Sequence, residues 1–262
     1  MPKKILSWLP WVIFALFAFF LVGSNFNAKL GIIDDHETAW LLGSDGKINI
    51  NEIPATIMST EVGQWSTSTR YRPSYYTLRV VETALWKNNA FAWYFFRYLI
   101  LVLSMVLGWK ILVNYFPKII AYLFIFYVMT MPFWPDMLTR LGPSEIYALP
   151  ALLLFIYGLI QNKFWMVFVG YAVCVGGKEN LLILLPILIA WLIVKAKQLT
   201  KYEWPMSLLL IVYTIFIAVG IVIATNNSGV DFYLNDISYY KRLILTIESI
   251  PEIIDSRHLI MF

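Results

Sequence analysis

The chain has 262 residues, of which 60% are hydrophobic and 14% charged, and its formal net charge is +4. Soluble domains run about 45–50% apolar and about 25% charged. Here the apolar residues also come in long blocks, which excludes a water-soluble globule and points to an all-α polytopic membrane protein. The lysines are scattered between those blocks and form no basic face, which excludes nucleic acid as a partner. The single cysteine, Cys174, lies inside an apolar run, so no intrachain disulfide forms.

Met1-Pro2-Lys3-Lys4 precedes an apolar run over 5–23. The run is longer than the roughly 7–15 residues of a signal-peptide core and lacks a small-residue cleavage site, so it reads as a retained first helix. Lys3 and Lys4 put its start in the cytoplasm. A loop over 24–89 follows, polar but dotted with aromatics, as expected of short helices lying on a membrane surface. Ser44-Asp45-Gly46-Lys47 is a turn. Pro73 suits the first turn of a helix running through residue 86.

Further helices are expected over 91–113, 119–133, 146–160, 164–175, 181–194 and 205–224, giving about seven spans. Gln161-Asn162-Lys163 is a tight turn, and Gly176-Gly177-Lys178-Glu179-Asn180 breaks the fifth span from the sixth. The two expected units are a transmembrane module over 1–224, including the outer loop 24–89, and a tail over 225–262 with an amphipathic helix near 237–254. With seven spans, the inner segments hold Lys3, Lys4, Lys110, Lys118, Lys163, Lys195, Lys197 and Lys201, and their only acid is Glu203. This lysine bias orients the short loops.

The same topology brings four charged segments to the outer face: Asp34-Asp35-His36-Glu37, Arg70-Tyr71-Arg72-Pro73, Arg140-Leu141-Gly142-Pro143-Ser144-Glu145 and Gly177-Lys178-Glu179-Asn180. If Asp34 opens a short helix, Asp34 and Glu37 share a face at i, i+3 spacing. Acids at a helix start also serve as caps and complement the dipole. The chemical alternative is a general base, Asp34 or Asp35, that takes a proton from an acceptor hydroxyl. Proline holds Arg72 extended at a helix N-terminus, where arginine matches phosphate bidentately; a headgroup contact is the plainer alternative. Lys178 and Glu179, between two apolar segments, form a costly charged pair. Lys178 is expected to contact phosphate, and Glu179 to orient it or an arginine. Arg140 and Glu145 follow the same logic, while Arg97 inside its helix snorkels or pairs. With only His36 and His258 and no cysteine cluster, no His/Cys metal site is expected. No Walker or Rossmann glycine pattern is present, so no nucleotide cofactor is expected.

At these residues the chain resembles the GT-C superfamily of membrane glycosyltransferases, which use lipid-phosphate sugar donors. It is similar to the protein O-mannosyltransferases and their relatives, including the TPR-bearing transmembrane O-mannosyltransferases. The likeness covers most of residues 5–224. It rests on a first helix followed by an acidic outer loop (Asp34-Asp35), then on Tyr71-Arg72-Pro73 leading to Thr77-Leu78-Arg79. An Arg140-Leu141-Gly142 loop and the Lys178-Glu179 step complete it. The resemblance implies inverting transfer of one sugar from a polyprenyl phosphate to a hydroxyl of a glycan, lipid or protein on the extracytoplasmic face. By carry-over, Asp34 or Asp35 is the base, and Arg72, Lys178 and Arg140 hold the lipid phosphate. Glu37, Tyr71 and Glu179 complete the candidate substrate-binding set. No cofactor is implied; the acidic cluster permits a divalent ion, and the mannosyl branch argues against one.

Family members are usually longer and often carry an acceptor-selecting soluble domain, so the expectation is a minimal enzyme, a truncated one, or one half of a complex with a partner subunit. Two other classes fit the charge pattern less well. A transporter or flippase would place ionisable groups near the bilayer midplane and often show repeats, and here the charges sit at helix ends with no repeat. A non-catalytic assembly subunit would use the same charges as interfacial anchors.

Overall fold

The structure is a computed structural model and describes residues 3–31, 36–64, 70–131, 134, 137 and 140–227. Among these residues it is all-helical and contains no strand. The α-helices are α1 (Lys3–Val22), α2 (His36–Leu42), α3 (Ile53–Met58), α4 (Pro73–Trp86), α5 (Ala90–Leu112), α6 (Lys118–Met129), α7 (Glu145–Gln161), α8 (Phe164–Gly177), α9 (Leu185–Lys195) and α10 (Glu203–Asn227). Short 3-10 turns cover Gly23–Asn27, Ile50–Glu52 and Glu179–Leu184. The amphipathic helix expected near 237–254 lies outside the described residues.

Among the described residues, three segments are long and apolar enough to cross a membrane: Trp8–Asn27, Ala90–Leu112 and Glu203–Ala224. Lys118–Met129, Glu145–Gln161 and Phe164–Gly177 are shorter apolar helices. The single helix expected over 181–194 is instead the Glu179–Leu184 turn followed by α9. Pro186, near the start of α9, lacks the N–H that a helix continuing through it would need.

α7 and α8 form the tightest pair in the fold. Asn162 turns the chain between them in the left-handed conformation, with φ 52° and ψ 43°, a geometry asparagine tolerates better than most residues. Gly158 and Gly170 then let the two backbones meet. A Cβ at Gly158 would lie 2.7 Å from Val167 N, and one at Gly170 would lie 2.7 Å from the Ala151 carbonyl oxygen. Small residues at a helix interface are how apolar helices pack closely without a hydrophobic drive between them.

Two larger apolar clusters tie the long helices together, beside two smaller ones around Val80 and Trp93. One joins α1, α5 and α6 through Phe14, Ala18, Leu101, Met105 and Ile125. The other joins α7 to α10 through Phe155, Val167, Tyr171, Leu188, Leu210 and Ile217. α4 and the residues just before it touch both: Tyr75 and Tyr76 belong to the first, Tyr71 to the second. Ser74 fastens that junction, donating to the Ala172 carbonyl at 3.0 Å and lying 2.8 Å from the Tyr213 hydroxyl. Gly176 has no side chain in the space that Ser74 and Tyr213 fill.

Candidate functional site

The floor of the site hangs on α4. Arg79 is fully buried, and each of its nitrogens meets a different residue. Nε lies 3.2 Å from Glu37 Oε2, an ion-pair contact rather than an aligned hydrogen bond. Nη1 donates to the Leu141 carbonyl at 2.9 Å, and Nη2 donates to Thr38 Oγ1 at 3.0 Å. Three residues along, Glu82 accepts from both Nη groups of Arg97 on α5, at 3.0 and 2.9 Å. Tyr147 of α7 donates a short hydrogen bond to the same carboxylate. Arg97 Nη2 also reaches the Leu141 carbonyl at 3.4 Å. Charges this deep among apolar helices persist only when paired and hydrogen-bonded. The pairing binds α2, α4, α5, α7 and the 140–144 loop into one unit.

Above this floor lies a cavity of about 710 Å³. Its walls carry the cations Arg70, Arg72, Arg140 and Lys178 and the acids Glu37, Glu61 and Glu145. Glu37 is held from two sides. Besides Arg79, the Tyr75 hydroxyl donates to it at 2.8 Å and shares that proton with the Gly142 carbonyl at 2.9 Å. Arg72 sits just before α4 and donates to Glu61 from Nε at 3.4 Å and from Nη2 at 3.2 Å. Its guanidinium lies over the Tyr75 ring at 4.8 Å and the Tyr76 ring at 5.6 Å. Lys178, extended after Gly176-Gly177, pairs with Glu145 at the start of α7.

Burial governs the protonation of these groups. It raises the Glu61 carboxyl above the usual range, although Arg72 and Tyr76 pull the other way. It pushes the Tyr75 and Tyr76 hydroxyls well up, so both remain donors at neutral pH. The Lys178 ammonium is lowered, first by burial and further by Arg70 and Arg72; Glu179 acts against this.

Of the residues singled out in the sequence, Glu37, Arg72, Arg140 and Lys178 thus line one cavity. Glu179 stands behind Arg72, with Oε1 4.0 Å from Arg72 Nε. Tyr71 packs away from the cavity, edge-on to Phe216 at 5.9 Å and against Gly220. Asp34 and Asp35 lie outside the described residues. Arg97 pairs rather than snorkels. Glu61, Tyr75, Tyr76, Arg79 and Glu82 carry much of the site's geometry without having been candidates. Arg79 and Glu82, spaced i, i+3 on one helix, were detectable as a polar face. Glu61 gave no signal, because its partner Arg72 is eleven residues away in the chain.

A smaller apolar slot of about 230 Å³ opens beside the cavity, between α7 and the Glu179–Leu184 turn. Met137, Glu145 and Lys178 line both spaces. Among the described residues no group of three or more metal-binding side chains occurs. Comparison with family models, curated proteins and solved structures finds no match.

Proposed function

We propose that the chain is a membrane glycosyltransferase of GT-C type. It moves one sugar from a polyprenyl-phosphate donor to a hydroxyl acceptor at the extracytoplasmic face. One observation carries the reading: Glu37, Arg72, Arg140 and Lys178, from four distant segments, line a single polar cavity beside an apolar slot. A phosphate joined to a sugar on one side and an isoprenoid chain on the other needs such a pair of spaces. The seven proposed spans would be the three long apolar helices, the three shorter ones and α9. The cavity lies at the α7 start and the α8 end, opposite the Lys163 turn. Lysine at that far end supports an extracytoplasmic cavity.

In the proposed reaction the acceptor oxygen attacks the anomeric carbon as the bond from that carbon to the phosphate oxygen breaks. The phosphate leaves with the bonding electron pair, and the hydroxyl proton passes to a carboxylate, Asp34 or Asp35. Arg72, Arg140 and Lys178 stabilise the negative charge growing on the departing phosphate. Such fixed charges commonly supply the largest share of rate enhancement. Glu37, positioned by Tyr75 and Arg79, holds hydroxyls of the sugar or the acceptor.

The test is a transfer assay on purified protein in lipid nanodiscs, with labelled polyprenyl-phosphate sugars and cell-envelope extract. Wild type transfers label; Arg72→Ala and Lys178→Ala do not. Of Asp34→Asn and Asp35→Asn, one abolishes transfer at normal protein level. Full activity in both, and in the double variant, sinks the base assignment. No consumption of any donor removes the glycosyltransferase reading.

A further inference from the structure

The three cavity carboxylates are held in different ways. Glu37 is bound by Arg79, which is fully buried and does not line the cavity. No ligand in the cavity can take that cation away. Glu61 grips Arg72 through two contacts, with side chains only 13% and 19% exposed. The Lys178–Glu145 pair is more open to water, with side chains 33% and 34% exposed. Both of its members face the polar cavity and the apolar slot at once.

We propose that Glu145 is an exchangeable occupant of the phosphate position on Lys178: it holds the ammonium until an anionic lipid headgroup takes its place. The proposal rests on the donor reading above and assigns Glu145 the role of competitor. The swap costs less at this pair than at the more buried pairs of Arg72, Arg79 and Arg97. A carboxylate one-third exposed regains water when it loses its cation, whereas the buried Glu82 would be left with an uncompensated charge. The position suits the ligand as well. Lys178 and Glu145 stand at the boundary of the two spaces, where a phosphate would join its apolar chain. Arg70 and Arg72 lie near enough to Lys178 to repel its charge. An anion with several oxygens relieves that repulsion at more than one donor, which a single carboxylate held by α7 does not do.

The experiment measures binding of farnesyl phosphate to the full chain in nanodiscs made of zwitterionic lipid. Wild type is compared with Glu145→Gln, Lys178→Ala and the double variant, each checked for an unchanged thermal unfolding midpoint. Glu145→Asp stands in should Glu145→Gln fail to fold, because its shorter arm draws the carboxylate back from Lys178. Release of Lys178 in Glu145→Gln tightens binding about fivefold, the scale of one partly exposed ion pair. Lys178→Ala weakens binding, and adding Glu145→Gln to it gives no recovery. If wild type binds but Glu145→Gln binds equally or more weakly, Glu145 is no competitor and the donor reading stands. If no folded variant and no wild-type sample binds, the donor reading falls and the exchange falls with it.

Discussion

At the scale of single residues, the Leu141 carbonyl is a meeting point: Arg79 donates to it from α4 and Arg97 from α5. Arg79→Met keeps the length of the side chain but strands the ion pair with Glu37 and the bonds to Leu141 and Thr38. Breaking one member of a buried pair costs about 3–5 kcal/mol. The expected outcome is a large fall in the thermal unfolding midpoint in detergent, and an unchanged midpoint would refute the floor's structural role. Lys178 makes a pH prediction. Its ammonium loses its proton below the ordinary lysine value of 10.5. Only the protonated form attracts phosphate, so binding persists at lower pH and is lost as pH rises through the depressed value. In Lys178→Arg the guanidinium stays charged throughout, so the alkaline limb of the farnesyl phosphate binding curve should disappear. A limb that survives in Lys178→Arg belongs to another group.

At the scale of elements, the α7–α8 hairpin depends on glycine where the backbones touch. Gly170→Leu forces a side chain into the space of Phe155 and Ala151. Overpacking of this kind typically costs about 1–3 kcal/mol, and here the neighbours are backbone atoms that cannot rotate aside. The measurable result is a loss of monodisperse protein on size-exclusion chromatography, with Gly177→Ala as control, since nothing stands within 4 Å of a Cβ there. The boundaries of α1, α5, α7, α8 and α10 were readable because long apolar runs end at lysine, asparagine or glycine. Pro73 at the start of α4 and the Asn162 turn were readable for local reasons as well. The split of 179–195 into a 3-10 turn and α9 was masked by the apolar run over 181–194, and Pro186 was its only local signal. The site was readable only as a list of charges on one side. Which cation meets which acid depends on the α4 docking, and no local pattern encodes the contact of Glu61 with Arg72 or of Glu82 with Arg97.

Considered as a whole, the molecule sets its charged cavity at one end of the α7–α8 hairpin. The cavity gathers arginines, Lys178 and glutamates, while Lys163 lies at the far end of the α7–α8 hairpin. Cys174 is buried with 0% exposure and contributes no background to thiol labelling. In whole cells a membrane-impermeant maleimide should therefore react with Ser59→Cys at the cavity rim. Lys163→Cys should react only after permeabilisation. The reverse pattern would invert the proposed orientation.

The α7–α8 hairpin closes through neighbours in the chain, but the cavity does not. Its walls come from residues as far apart as Glu37 and Lys178. During synthesis, a chain that has reached the end of α6 already holds Arg79, Glu82 and Arg97, yet lacks the Leu141 carbonyl and the Tyr147 hydroxyl that complete their pairing. At that stage Arg79 has Glu37 and Thr38 and Arg97 has Glu82, and the acceptor shared by both arginines is still missing. The cavity walls are therefore complete only once the end of α8 and Lys178 have joined the earlier segments.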